Sequence, residues 1–148
     1  MKIKIATASS RPRPYRLDDQ VGFVLRQASQ RHATIFAEGM GGDVTPTQWA
    51  AMAKLSEVGP TSQNQLGRMT AMDVATIKGV VDRLTKRGFT ASEPDPGDAR
   101  RHLVALTPAG VAFVAARAAA AHAISAETLA PLDAAERARF LALLAKLK

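Results

Sequence analysis

The sequence contains no cysteine, which excludes disulfides, thiolate-bound metals and thiol-based redox sensing. Aromatic residues make up only 5% of its 148 residues, and there is a single tryptophan. Alanine dominates the C-terminal third, so helices rather than sheets are expected to form most of the core. Because there is no long apolar run, no membrane span and no signal peptide are predicted, and the protein is expected to be soluble and cytoplasmic.

Sequence patterns typical of enzymes are also missing. The three histidines, His32, His102 and His122, fall on three different predicted elements. The sequence has no glycine-rich phosphate loop, no His-Glu-x-x-His motif and no nucleophile elbow. Because nothing would bring a nucleophile together with a base, we predict no catalytic residue, no metal site and no cofactor.

Acidic residues are outnumbered: the chain has 13 Asp and Glu against 20 Lys and Arg, a formal net charge of +7. A domain this basic often binds a polyanion, with nucleic acid as the first candidate and a membrane surface as the second. Residues 1–16 contain five basic residues and no acidic one. This segment is either a disordered, solvated tail or a basic arm that contacts phosphates or a partner subunit.

Capping residues and glycines predict six helices. Asp18 is expected to cap the first helix, and Gly41 and Gly42 are expected to end it. The later helices are predicted to start at Thr45-Pro46, at Ser62 (in a capping box with Gln65), at Asp73, at Thr107-Pro108 and at Asp133. The helix that starts at Thr107-Pro108 is long and rich in alanine, and the helix that starts at Asp73 ends at Gly88.

The periodicity changes after Gly88. Residues 89–93 and 101–106 have a strand-like composition, and the Pro94-Asp95-Pro96-Gly97 run between them is a strong turn signal. The order predicts a mainly α fold with a small β-hairpin: a winged helix-turn-helix at about 45–107 and further helices at about 17–40 and 109–148. A hairpin beside a helix-turn-helix lies where it can reach the DNA backbone and the neighbouring minor groove.

The second helix of a helix-turn-helix enters the major groove, and residues near its N-terminus meet the base edges. The candidates for base contacts are Ala75, Thr76, Lys78, Gly79 and Arg83. The candidates for phosphate contacts on the preceding helix are Ser62, Gln63, Asn64 and Arg68. Alternatively, Thr76 and Lys78 are only part of a solvated helix face. The residues expected in the core are Val74, Ile77, Val80, Val81 and Leu84.

At the predicted hairpin tip Asp98 precedes Arg100 by two residues. A carboxylate in that place can orient the guanidinium, and an arginine at a hairpin tip suits a narrow minor groove. Arg101 is expected to face the DNA backbone or solvent. The alternative is a surface ion pair of little consequence.

The same residues resemble the multiple-antibiotic-resistance regulator (MarR) family of bacterial repressors. The similarity is carried by Asp82-Arg83-Leu84 and Gly88, then by Asp98-x-Arg100, by the run "LVALT" at 103–107 and by Gly110. It is collinear from about residue 17 to the C-terminus, so residues 1–16 fall outside it. We therefore interpret residues 17–148 as a single domain.

The resemblance implies a homodimer in which the first helix and the last two helices of each chain intertwine and carry two winged lobes. It also implies that Arg100 enters the minor groove and that Asp98 holds it. Two-fold symmetry predicts a pseudo-palindromic operator in double-stranded DNA, with half-sites about 34 Å apart. A transcriptional repressor is the expected function, with an activator or a non-specific architectural DNA-binding protein as the alternatives.

Many members of such a family are released from DNA by small aromatic or phenolic acids, bound between the dimerisation helices and the winged lobe. His32, on the apolar stripe of the first helix, is the first candidate for such an effector site; the alternative is a histidine of the core or dimer interface. Trp49 either lines the same cleft or is ordinary packing. Further candidates are Tyr15, Arg16, Met52 and His122. The lack of cysteine argues against a peroxide-sensing member.

Overall fold

The computed structural model describes residues 12–148, so most of the predicted basic arm lies outside the described residues. A short 3-10 turn, Leu17–Asp19, precedes the first α-helix. The elements that follow are α1 Val21–Met40, α2 Pro46–Val58, α3 Gln63–Met69, α4 Val74–Lys86, β1 Thr90–Asp95, β2 Asp98–Leu106, α5 Pro108–Thr128 and α6 Ala134–Ala145. The predicted order and the mainly α class with a hairpin are confirmed.

Side chains cap five of the helices as predicted. The caps are Thr45, Ser62, Asp73, Thr107 and Asp133, and each accepts a hydrogen bond from the backbone N–H three residues later. The prediction of Asp18 as a cap is wrong, because Asp18 lies inside the 3-10 turn and α1 starts only after an extended residue, Gln20. The capping box at Ser62 is half formed, since the Gln65 side chain accepts from Arg68 instead.

The hairpin is longer than predicted. β1 pairs antiparallel with β2 from Thr90 opposite Leu106 to Asp95 opposite Asp98, with an irregularity at Pro94 and Asp95. Proline is tolerated there because a two-stranded hairpin has only edge strands, whose missing donor can face solvent. Thr61 adds a bridge that the sequence did not reveal: its N–H donates to Val104 O over 3.1 Å and its carbonyl accepts from Val104 N over 2.8 Å. The hairpin is thereby fixed to the connection between α2 and α3.

The core joins the C-terminal half of α1 to the helix-turn-helix. Its most deeply buried large side chains are Met40, Met52, Leu66, Ile77, Val80 and Leu84. Val74 was expected among them and is not: it is 69% exposed. It occupies the first turn of α4, at the rim of the cleft between α3 and α4, so the apolar stripe of that helix begins only at Ile77.

Helices α1 and α5 run antiparallel and cap each other. Arg31 of α1 donates to the carbonyls of Glu127 and Thr128 over 3.0 and 2.6 Å. Arg117 of α5 donates to the Met40 carbonyl over 2.9 Å and forms an ion pair with Asp43. Each cation therefore satisfies carbonyls at the C-terminal end of the other helix, where a positive charge is favourable.

Of the helices among residues 12–148, only α5 has the length and apolar composition that could cross a membrane. Much of that composition is alanine, and the helix lies against α1. Its buried Ile124 comes so close to α1 that a Cβ at Gly39 would be 2.5 Å from Ile124 Cγ1. The small residue is what allows this approach.

Replacing Gly110 with alanine is expected to destabilise the protein by about 1–3 kcal/mol. A Cβ at this position would overlap the carbonyl oxygen of Phe89, and that carbonyl is fixed by a 3.0 Å hydrogen bond from Thr107 N. The matched control is Gly22→Ala on α1, where a Cβ would meet nothing within 4 Å. The control is expected to raise stability by about 0.5–1 kcal/mol. Thermal denaturation of both variants checks this, and equal shifts would contradict the assigned contact.

Candidate nucleic-acid interface

A tight turn places α3 against α4. Met72 N donates to Gly67 O over 2.9 Å, and Ala71 in the turn adopts a positive φ of 54°. Asp73 then caps α4 by accepting from Thr76 N over 2.7 Å, and this bond holds the pKa of Asp73 below its usual value. The start of α4 is thus fixed by local contacts of its own turn.

Helix α4 has one buried and one open face. Ile77, Val80, Val81 and Leu84, at the i, i+3, i+4 and i+7 spacing of a single helix face, are buried. The opposite face carries Ala75, Gly79, Asp82 and Lys86, at i, i+4, i+7 and i+11. All five predicted base-contact residues lie outside the buried stripe: Ala75, Thr76, Lys78 and Arg83 are exposed and Gly79 is half-buried.

Asp82 was not among the predicted contact residues, yet it lies on the open face of α4. Lys78 Nζ donates to Asp82 Oδ2 over 2.8 Å, and this hydrogen bond holds the pKa of Asp82 below its usual value. Arg83 lies beside the pair, and its guanidinium leans over Gly79, where a Cβ would be 3.6 Å from Arg83 Nη2. The signal that could have found Asp82 is its spacing of four residues from Lys78.

The four predicted phosphate contacts differ in accessibility. Asn64 and Arg68 are exposed on α3, and Arg68 donates to Gln65 Oε1. The Ser62 hydroxyl is engaged as the cap of α3. Gln63 is half-buried and lines a cleft of about 500 Å³ between α4 and the hairpin.

At the hairpin tip two hydrogen bonds join the side chains of Arg100 and Asp98. Arg100 Nε donates to Asp98 Oδ1 over 3.1 Å and Nη2 donates to Oδ2 over 3.2 Å, while Arg100 N also donates to Oδ1. These bonds hold the pKa of Asp98 below its usual value. The Arg100 side chain is nevertheless 91% exposed, so it projects from the hairpin with its orientation set by Asp98. Arg101 is also exposed.

The predicted effector residues are spread over the fold. His32 is half-buried on α1, Trp49 is half-buried against the core, and Met52 is fully buried within it. Tyr15 and Arg16 are exposed ahead of α1, and His122 is exposed on α5. The cleft of about 500 Å³ is instead lined by residues of α4 and the hairpin, including Val81, Lys86 and His102.

His32 is hydrogen-bonded to Thr128: its Nδ1 lies 2.8 Å from the Thr128 hydroxyl, which also lies 2.8 Å from Ile124 O. In the tautomer with the proton on Nδ1, the hydroxyl accepts from His32 and donates to Ile124 O, and Nε2 is left for another partner. Neither the spacing nor the composition of the sequence indicated Thr128.

A second surface is apolar. Large apolar side chains stand exposed before and on the first half of α1 and along α6: Leu17, Val21, Val24, Leu25, Phe140, Leu141, Leu143, Leu144 and Leu147. We call this set the α1–α6 face. Leu25, Leu141, Leu144 and Leu147 line a shallow groove of about 360 Å³ in it. The groove shows that apolar side chains of α1 and of the C-terminal segment adjoin, and an exposed apolar patch of this kind is typical of an interaction site.

A helix-turn-helix with a charged open face, next to a hairpin that projects an oriented guanidinium, defines a winged-helix DNA-binding regulator. The model of the MarR family matches residues 44–102. The chain is 40% identical to the transcriptional repressor NicR of Pseudomonas putida, over 97% of this chain and 94% of NicR. The chain belongs to the MarR family and is a transcriptional repressor of that family.

Solved structures agree with this assignment. A probable transcriptional regulator from Pseudomonas aeruginosa is 58% identical, with a TM-score of 0.87 over 90% of this chain and 100% of that one. Bordetella bronchiseptica BpsR, whose DNA binding is regulated by 6-hydroxynicotinic acid, is 38% identical, with a TM-score of 0.86 over 90% of this chain and 96% of BpsR. The resemblance drawn from the sequence is confirmed.

Proposed function

We propose that the chain acts as a homodimeric repressor that a small hydroxylated aromatic acid releases from a pseudo-palindromic operator. The observation that carries the DNA-binding part is the exposed Arg100 guanidinium, held by Asp98, beside the open face of α4. The guanidinium is suited to a narrow minor groove, and Thr76, Lys78 and Arg83 are suited to base edges in the adjacent major groove. Asn64, Arg68 and Arg101 would contact phosphates.

The α1–α6 face supports the homodimer. Its exposed leucines and Phe140 would be buried by the same face of a second copy, and a two-fold axis there would give two winged lobes. Two lobes on one axis can occupy successive major grooves about 34 Å apart.

BpsR and His32 support the proposed class of effector. BpsR responds to 6-hydroxynicotinic acid, a ring that carries both a carboxylate and a hydroxyl group. His32 Nε2 can accept a hydrogen bond from a ring hydroxyl when the imidazole is neutral, and can donate to a carboxylate when it is protonated. Trp49, Tyr15 and Arg16 lie on other segments, and they would supply a flat ring and a counter-charge only where the dimer brings them to the same effector. Met52 would remain part of the core.

Release requires that DNA and effector favour different states of the dimer. A ring acid wedged between α1 and the lobe would fix a spacing of the two lobes that no longer matches successive major grooves. Each ligand then weakens the binding of the other by the same factor. Arg31 and Arg117 hold α1 and α5 together as an antiparallel pair. A displacement of α1 by the effector would therefore move α5 as well and change the spacing of the two lobes.

Adding 6-hydroxynicotinic acid is expected to release the protein from the DNA upstream of its own gene, and His32→Ala is expected to blunt that release. Binding of the labelled DNA without effector should stay within about twofold, because His32 lies on α1 and away from α4 and the hairpin. Fluorescence anisotropy at fixed salt measures both quantities. Gln30→Ala, at an exposed residue of the same helix, is the matched control. Equal release of the wild type and His32→Ala would contradict the role of His32.

A non-specific architectural protein is the alternative that the same titration tests. Such a protein would bind random duplex as tightly as the upstream DNA at every salt concentration. A repressor is expected to prefer the upstream site by about a thousandfold or more. Absence of any preference would contradict the proposed function.

A further inference from the structure

We propose that Lys78 and Asp82 act together as one reading element, which recognises a single G·C base pair in each half-site. The inference rests on the proposed role of α4 in the major groove. The two side chains are 66% and 55% exposed, and they place a donor and an acceptor next to each other on the open side of the helix. The pair is electrically neutral as a whole.

A carboxylate on a DNA-facing surface needs a donor to face, because phosphates and most groove acceptors repel it. The donors in the major groove are the N4 amine of cytosine and the N6 amine of adenine. Next to cytosine N4 lie guanine O6 and N7, two acceptors suited to an ammonium group. A G·C pair complements Asp82 and Lys78 at the same time, with lysine over the two adjacent acceptors of guanine and aspartate toward cytosine. An A·T pair also has a donor, adenine N6, but it offers the ammonium group only one acceptor on either side of that donor, N7 or thymine O4.

Stabilisation of α4 alone explains the pair poorly. An ion pair four residues apart supports a helix best when the acidic residue comes first, and here the lysine precedes the aspartate. Both groups are also open to solvent, where such pairs contribute little. The helix is already fixed by the Asp73 cap and by the buried stripe that runs from Ile77 to Leu84.

Both groups of the pair are open to solvent, so a base edge can reach them. The Arg83 guanidinium covers Gly79 beside the pair, at 3.6 Å from where a Cβ would lie. The hydrogen bond from Lys78 keeps the pKa of Asp82 below its usual value, so the carboxylate is ionised and acts as an acceptor at neutral pH.

The test is selection from a randomised duplex library with the full-length wild type, Lys78→Ala and Asp82→Asn. Both variants are expected to lose about fivefold or more of the preference for G·C at one and the same position of each half-site, and to keep the other positions. Glu57→Gln, which removes an exposed ion pair on α2, is the control and should keep every preference. Circular dichroism checks that each variant keeps the helix content of the wild type.

Salt dependence gives a second readout. In Asp82→Ala the ammonium group of Lys78 is free to contact a phosphate, so the slope of log affinity against log salt should steepen by about 0.9 per chain. Unchanged base preferences in Lys78→Ala and Asp82→Asn, with only a uniform loss of affinity, would overturn the inference. If the wild type itself selects no sequence, the proposed function fails as well, and the two failures are thereby distinguished.

Discussion

Arg100→Ala is expected to weaken operator binding by about tenfold or more while leaving the fold intact. The side chain is 91% exposed and bonds only to its neighbour Asp98 among the described contacts, so its removal disturbs no packing. The variant loses a cation whose orientation Asp98 already fixes in the free protein. Because the side chain is ordered before DNA binds, less conformational entropy is lost on binding. Gel shift or anisotropy with the upstream DNA measures the effect.

Two further variants separate charge from orientation. Arg101→Ala removes a neighbouring exposed cation and is expected to cost less, mainly through a shallower salt dependence. Asp98→Asn keeps Arg100 but weakens both side-chain bonds to it, so it should fall between the two arginine variants. An Arg100→Ala protein with the wild-type midpoint would show that the hairpin makes no contact with the groove.

Leu141→Glu is expected to give a monomer and to reduce operator affinity by about a hundredfold or more. Leu141 is 53% exposed in the α1–α6 face and lines its groove with Leu25 and Leu144. A carboxylate there would be buried without a partner in the dimer, which is strongly unfavourable. In a monomer each lobe binds one half-site independently, so binding of one lobe no longer raises the effective concentration of a second lobe at the other half-site.

Sedimentation or light scattering gives the oligomeric state, and anisotropy gives the affinity of the same samples. The matched control is Val58→Glu, an apolar residue that is 48% exposed on α2, outside the α1–α6 face. It should leave both measurements unchanged. A dimeric Leu141→Glu protein with full affinity would show that another surface joins the two copies.

Much of the architecture followed from local signals. Capping residues followed by proline placed the starts of α2 and α5, and the left-handed glycines Gly41 and Gly88 placed the ends of α1 and α4 within a residue or two. Such signals are reliable because each acts through hydrogen bonds or backbone angles inside a single turn. Asp18 shows the limit of this reasoning, since the same residue type also fits a 3-10 turn that ends before the helix begins.

The site was predicted unevenly for the same reason. Asp98 and Arg100 are two residues apart, so their contact was visible in the sequence, and the structure places them in hydrogen-bonding distance. Thr128 is 96 residues from His32, so nothing local indicated their contact. Val74 has the apolar character of a core residue, yet it is exposed. Its burial depends on how α3 packs against the first turn of α4, which the sequence does not indicate.

The sequence by itself determined the order of the elements, the positive charge and the residues by which the chain resembles its family, because these depend on neighbours within a few positions. Only the tertiary structure decided that Val74 is exposed, that Thr61 joins the hairpin, that Arg31 and Arg117 hold α1 against α5, and that leucines of α1 and α6 line one groove. These features are contacts between distant segments, and such contacts depend on how whole helices pack and on which backbone groups are left to be satisfied.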